Sequence, residues 1–288
     1  MKVPASIRVG TCSHTGLVRS ANEDDYLLAT SSSAGDVTFV AAIADGMGGA
    51  AGGAEASRTA LRALGATLID GEPGAGMDEG FARASANVLQ SAAAVPALRD
   101  MGTTLTALWL CDGHAFVGHI GDTRLYRRRR DRLEVMTKDH ALQEGQNLLT
   151  RCIGAGQSDC APDFAKLELS SGDRFLLCTD GVWNVVEESA LEALAALRDP
   201  QRAADRLVRA AVDRGAPDNA TALVIDVLDP ALGESVEVQL PRHERPSARA
   251  LWPAARSLRR PLWPFALLLV AAAMLLWSAL RLAGVEVF

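Results

Sequence analysis

Apolar and polar positions follow two distinct rhythms along this chain. Five short apolar runs, each bounded by Gly, Asp or Pro, predict strands over residues 36–45, 103–112, 114–126, 173–180 and 221–229. Elsewhere apolar residues recur every three or four positions. Ala56, Ala60, Leu61, Leu64 and Leu68 mark a helix over 55–69, a second follows over 79–94, and Leu191, Leu194, Leu197, Leu207, Val208 and Ala211 mark a helical region over 187–214. Strands, two helices, more strands and more helix predict an α+β protein with largely antiparallel sheets.

Four of the apolar stretches carry an acid at one lip: Asp45 in A-D-G-M-G-G, Asp122 in H-I-G-D-T-R, Asp180 in C-T-D-G-V-W and Asp218 in A-P-D-N-A-T. One Asp-Gly alone is read as a turn. Four acids beside buried strands are costly unless cations accompany them, and no Lys or Arg lies within two residues of Asp45, Asp180 or Asp218. A set of carboxylates, with the carbonyl of side-chain-free Gly46, suits hard divalent ions such as Mg²⁺ or Mn²⁺. Upstream, Arg19 offers a planar fork fitted to phosphate oxygens, and Asn22, Glu23 and Asp24 follow close enough to join a metal cluster through water.

The glycines allow a rival reading. Gly46, Gly48 and Ala51 fit G-x-G-x-x-A, with Asp70 downstream as a ribose contact. Asp45 opposes it by repelling a pyrophosphate, and the chain lacks the strand–helix alternation of a parallel sheet. No G-x-x-x-x-G-K-[ST] occurs, which excludes a P-loop.

Composition adds an appendage to this picture. With 288 residues, 49% of them hydrophobic, the chain can bury a substantial core. From Pro241 onward seven Arg face only Glu244 and Glu286, a net of +5 that leaves −11 of the total −6 on residues 1–240. The basic, Pro-containing stretch 241–261 reads as a linker. After it, Leu262–Leu280 is uncharged for nineteen residues, about 28 Å as a helix, with Trp263 and Trp277 near its ends. We therefore expect a transmembrane helix over 262–281 and a short tail over 282–288. Arginines crowd the amino-terminal side of the span, so the positive-inside rule places residues 1–240 in the cytoplasm, anchored by the tail to the inner membrane. The five cysteines form no C-x-x-C pair and no signal peptide precedes them, which fits reduced thiols. The acidic body argues against nucleic acid, and R-R-R-R-D-R over 127–132 reads as a solvated hairpin tip. His14, His114 and His119, near strand ends, read as hydrogen-bonded sheet residues.

Eight segments in sequence order carry a resemblance: R-S-A-N-E-D-D (19–25), A-D-G-M-G-G (44–49), M-G-T-T-L-T-A (101–107), H-I-G-D-T-R-L-Y (119–126), K-D-H-A-L (138–142), L-L-T-R-C-I-G (148–154), L-L-C-T-D-G-V-W (176–183) and P-D-N-A-T-A-L-V-I (217–225). Together they resemble the bacterial metal-dependent serine/threonine protein phosphatases of type 2C, over nearly all of residues 8–228. The resemblance implies a four-layer α/β/β/α sandwich with a binuclear Mn²⁺/Mg²⁺ centre at one end. It implies that Asp45 bridges both metals, Asp180 and Asp218 hold one, the Gly46 carbonyl holds the other, and Asp122 serves a third, weaker metal. Arg19 would bind the substrate phosphate, while Glu23 and Asp24 orient metal-bound waters. The implied reaction is hydrolysis of phosphoserine and phosphothreonine proteins by a metal-activated water, opposing a Ser/Thr kinase, in a monomeric catalytic domain.

Chemistry inside the chain agrees, since no cysteine has the arginine six residues on that a C-x₅-R thiol phosphatase requires. Two departures stand out. Met47 occupies the turn where some relatives carry a histidine proposed as general acid, and only seven residues separate K-D-H from L-L-T-R, a shorter flap than in many bacterial members. A phosphatase-fold module that binds at the membrane without turnover is the alternative.

Overall fold

The computed structural model describes residues 2–33, 36–70, 75–142, 148–156 and 161–238. The linker, transmembrane helix and tail expected over 241–288 lie outside the described residues; among those described, no helix is long and apolar enough to cross a membrane. The chain runs β1 (Lys2–Pro4), β2 (Ile7–His14), β3 (Asp24–Ser33), β4 (Asp36–Met47), α1 (Gly49–Asp70), α2 (Ala75–Ala94), a 3₁₀ turn, β5 (Gly102–Thr103), β6 (Leu105–Cys111), β7 (His114–Ile120), β8 (Arg124–Arg129), β9 (Arg132–Val135), β10 (Ile153–Gly154), β11 (Asp163–Glu168), β12 (Arg174–Cys178), α3 (Asp180–Trp183), α4 (Glu188–Ala195), α5 (Pro200–Asp213), β13 (Ala220–Val227) and β14 (Ser235–Glu237).

Two sheets dominate. One has the order β10-β5-β4-β6-β7-β11 with β3 also paired to β4; the other has the order β2-β13-β12-β8-β9, and β1 pairs with β14 apart from both. All these ladders are antiparallel. The period-2 alternation of β4 shows how the layers form. Val40, Ala42 and Ala44 face a core shared with α1 and α2, whereas Phe39, Ala41 and Ile43 face a second core between the sheets. On the other sheet Phe175 and Leu177 point into that second core, and Leu176 and Cys178 into a third beneath α3, α4 and α5. Three cores between four layers make the α/β/β/α sandwich.

Two expected elements divide, each for a local reason. The run 114–126 is two strands in different sheets: Gly121 adopts φ +108, a left-handed conformation open to glycine, and the chain leaves β7 there to enter β8 in the facing sheet. The helical region 187–214 breaks before Pro200, which removes a backbone donor and opens α5, while Asp199 caps the new helix by accepting from the Arg202 N–H at 2.7 Å. The R-R-R-R-D-R run is the β8–β9 turn, as expected, with Arg128 held by Asp131 and Arg129 by buried Asp173.

Candidate metal centre and catalytic pocket

Register brings the acids to one end of the sandwich. Asp24 at the start of β3 lies directly opposite Asp45 near the end of β4. Asp122 sits in the turn from β7 to β8, Asp180 begins α3 just after β12, and Asp218 immediately precedes β13. A cavity of about 380 Å³ opens there, lined by Arg19, Glu23, Asp45, Gly46, Asp122, Asp180 and Asp218, with Met47, Thr104, Leu148, Cys152 and Asn219 completing much of its wall. Every expected site residue except Asp24 lines this space; Asp24 is buried behind it.

Asp45 and Asp24 are held by residues of neighbouring strands. Asp45 is fixed through its backbone: its N–H donates to Thr104 Oγ1 at 2.9 Å, and its carbonyl accepts from the Thr104 N–H at 2.9 Å and from Thr103 Oγ1 at 3.0 Å. Gly46 is required by packing, because a Cβ there would lie 2.1 Å from the Gly53 carbonyl oxygen of α1. Asp24 Oδ2 accepts from Thr179 Oγ1 at 2.9 Å and Thr221 Oγ1 at 2.6 Å. Asn219 ties the remaining loops together. Its Oδ1 accepts from the Glu23 N–H at 2.8 Å, and its Nδ2 donates to the carbonyls of Thr15 and Ala21 at 2.8 and 2.9 Å. Trp183 Nε1 holds the Asp122 carbonyl at 3.0 Å, beneath the Arg124 guanidinium.

The clustering is electrostatically expensive. Like charges directly opposite on paired strands repel, and here Asp24 is buried and Asp45 half-buried. Burial first, and then the neighbouring carboxylates, raise the pKa values of Asp24, Asp45 and Asp180. Asp122 is pushed up to about 7 by burial and then by Asp180 and Asp139, and burial also raises Glu23. Asp24 Oδ1 and Asp180 Oδ1 are buried without a hydrogen-bond partner. Divalent cations relieve both the repulsion and the unpaired oxygens, and an all-oxygen donor set suits Mn²⁺ or Mg²⁺. Among the described residues no three His, Cys, Asp or Glu side chains close on one point. The residues therefore form an open acidic bowl whose metal shells would be completed by the Gly46 carbonyl and by water.

Arg19 pairs with one of the acids. Its Nη2 donates to Asp218 Oδ2 at 2.6 Å, so one acid of the set has a cation partner 199 positions away that no local sequence window reveals. The guanidinium is half-exposed and borders the cavity. The residues that sequence reasoning passed over are Thr103, Thr104, Thr179, Thr221 and Asn219. Their signal was hydroxyl and amide groups at the lips of otherwise apolar strands, in T-T-L-T, C-T-D-G and D-N-A-T.

The protein phosphatase 2C family profile matches residues 14–223. The chain belongs to the protein phosphatase 2C family. Among its relatives, the serine/threonine protein phosphatase PstP of Mycobacterium tuberculosis is 33% identical over 256 residues, covering 81% of this chain and 48% of PstP. The protein phosphatase PhpP of Streptococcus pneumoniae is 30% identical over 232 residues, covering 73% of this chain and 93% of PhpP. The chain thus spans about half the length of PstP and nearly all of PhpP. Among solved structures, the catalytic domain of PstP in complex with two manganese ions superposes with a TM-score of 0.69 at 31% identity, over 77% of this chain and 99% of that domain. The matched range 14–223 contains every acid that lines the cavity, from Glu23 to Asp218.

Proposed function

We propose that this chain is a metal-dependent protein serine/threonine phosphatase acting on phosphoserine and phosphothreonine proteins, with residues 1–240 as its catalytic part. The observation that carries this reading is the convergence of Asp45, Asp122, Asp180 and Asp218 with the Arg19 guanidinium around one cavity. Two Mn²⁺ or Mg²⁺ ions would be held by Asp45, the Gly46 carbonyl, Asp180 and Asp218, and a third, weaker ion by Asp122. Such ions supply a nucleophilic water at neutral pH and neutralise charge on phosphoryl oxygens. The chain's own residues do the rest. Arg19 binds and orients the phosphoryl group beside Asp218, a planar fork suited to two oxygens. Glu23, raised in pKa at the cavity wall, orients water, and Asp24 supports Asp45 from behind. The threonine and Asn219 contacts hold these carboxylates in place before substrate arrives, so little reorganisation accompanies the reaction.

The reading is tested by phosphate release from a phosphothreonine peptide and from p-nitrophenyl phosphate. We expect Mn²⁺- or Mg²⁺-dependent turnover that a chelator abolishes; a protein that binds manganese yet never turns over would support the binding-only alternative. Arg19→Ala is expected to raise KM for the peptide about tenfold or more while leaving manganese affinity within about threefold, the loss of one charge-assisted contact. Loss of manganese binding would show that Arg19 acts through Asp218 instead.

We further propose a single-pass anchor over 262–281 that holds the catalytic part at the cytoplasmic face of the inner membrane. Support comes from the uncharged nineteen-residue run and the arginines before it. The opposing partner would be a Ser/Thr kinase or its substrates.

A further inference from the structure

The acids of the pocket are adjoined by a second polar system, centred on buried His140, that the phosphatase reading does not use. His140, from K-D-H-A-L, is 3% exposed. Its own N–H donates to the Gly121 carbonyl at 2.7 Å, and its Nδ1 accepts from the Gly121 N–H at 3.2 Å. A peptide N–H can only donate, so Nδ1 is the acceptor and the ring proton sits on Nε2. That proton faces Asp163 Oδ2 at 3.0 Å. Arg151 holds the other oxygen of Asp163 at 2.9 Å and the Ala161 carbonyl at 2.8 Å. The His140 carbonyl accepts from the Thr150 N–H at 2.7 Å, in the segment that supplies Leu148, Leu149 and Cys152 to the cavity wall.

Gly121 is a sensitive place to grip. It precedes Asp122, adopts φ +108, and packs so closely on Thr104 that a Cβ would lie 2.5 Å from the Thr104 Cβ. Thr104 is the residue that brackets the Asp45 backbone from both sides. One ring therefore touches the turn that presents Asp122 and, through it, the residue that fixes Asp45.

We propose that His140 is a positioning residue for the catalytic pocket, its ring oriented by Asp163 and Arg151 so that Nδ1 fixes the Gly121 turn that presents Asp122 and braces Thr104. The inference rests on the phosphatase reading for its effect on turnover but not for its effect on metal binding. Burial keeps the His140 imidazole below its ordinary pKa against the pull of Asp163, which preserves the neutral, accepting ring at neutral pH.

The test compares His140→Leu, which removes the acceptor, with His140→Asn, whose Oδ1 can replace Nδ1. Full-length protein is used with p-nitrophenyl phosphate, and thermal unfolding reports folding. We expect His140→Leu to lower kcat at least tenfold with KM within threefold, and His140→Asn to return kcat to within threefold of wild type. Wild-type kcat in a folded His140→Leu, or a folded His140→Asn no better than His140→Leu, would overturn the proposal. If His140→Leu does not fold, Asp163→Ala decides, with a threefold or greater loss of kcat expected and an unchanged kcat contradicting it. Should the wild type not turn over at all, calorimetric titration with manganese reads the same variants: weaker binding by tenfold in His140→Leu supports the role, and a superimposable isotherm refutes it.

Discussion

At the level of single residues, the pocket is a set of charges whose placement depends on neutral neighbours. Asp24 shows this most directly. Its carboxylate has one oxygen on two threonine hydroxyls and the other unpaired, and burial with nearby acids raises its pKa. Removing one hydroxyl without changing shape should therefore weaken the charged form further. Thr221→Val is expected to destabilise the protein by about 1–3 kcal/mol and to lower kcat by roughly tenfold; unchanged turnover by a folded Thr221→Val would remove Asp24 from the functional set. The acids themselves were legible in sequence because an Asp at the lip of an apolar run violates the burial pattern. Thr179, Thr221 and Asn219 were not, since a hydroxyl or amide beside a strand end is ordinary until the partner across the sheet is known. The Arg19–Asp218 pair was invisible for the same reason: 199 residues separate its members.

At the level of elements, the continuity of the apolar runs located β4, β6, β12 and β13 because each is buried on both faces, between two cores. It missed β11, whose residues are nearly all exposed, and it fused β7 with β8, because periodicity continues through a turn made by one left-handed glycine. The short strands β5 and β10 carry too few residues for any pattern. The ladder between β6 and β7 buries His119, paired with Thr106, as a structural histidine, with Thr106 Oγ1 at 2.8 Å and the Lys138 carbonyl at 3.1 Å on its two nitrogens. Burial, and then His140, lower its pKa from 6.5 to about 4. Between those values the unfolded chain binds a proton that the folded protein refuses, so this group's contribution to stability is present above about pH 6.5 and lost as pH falls toward 4, an amount of order 3 kcal/mol. The buried carboxylates have raised values and act in the opposite direction, so the comparison must be differential. Urea unfolding of wild type and His119→Gln across this window should show a stability difference that shrinks as the pH drops. A constant difference would contradict the assignment.

At the level of the whole molecule, an acidic catalytic part and a basic, apolar tail predict two separable behaviours. Full-length protein is expected to sediment with membranes and resist carbonate extraction, whereas a chain ending near Pro241 should stay in the supernatant and retain activity. External protease applied to cells with a permeabilised outer membrane should leave residues 1–240 intact; their digestion would reverse the orientation. The central claim is the acidic bowl itself, in which no single acid is dispensable if two cations share it. It is tested most directly by the manganese-dependent kcat of Asp180→Ala on a phosphothreonine peptide, with unfolding measured on the same preparation. The account predicts a folded variant slowed by at least about two orders of magnitude, corresponding to roughly 3 kcal/mol of lost transition-state stabilisation. Near-normal manganese-dependent turnover by Asp180→Ala would contradict it.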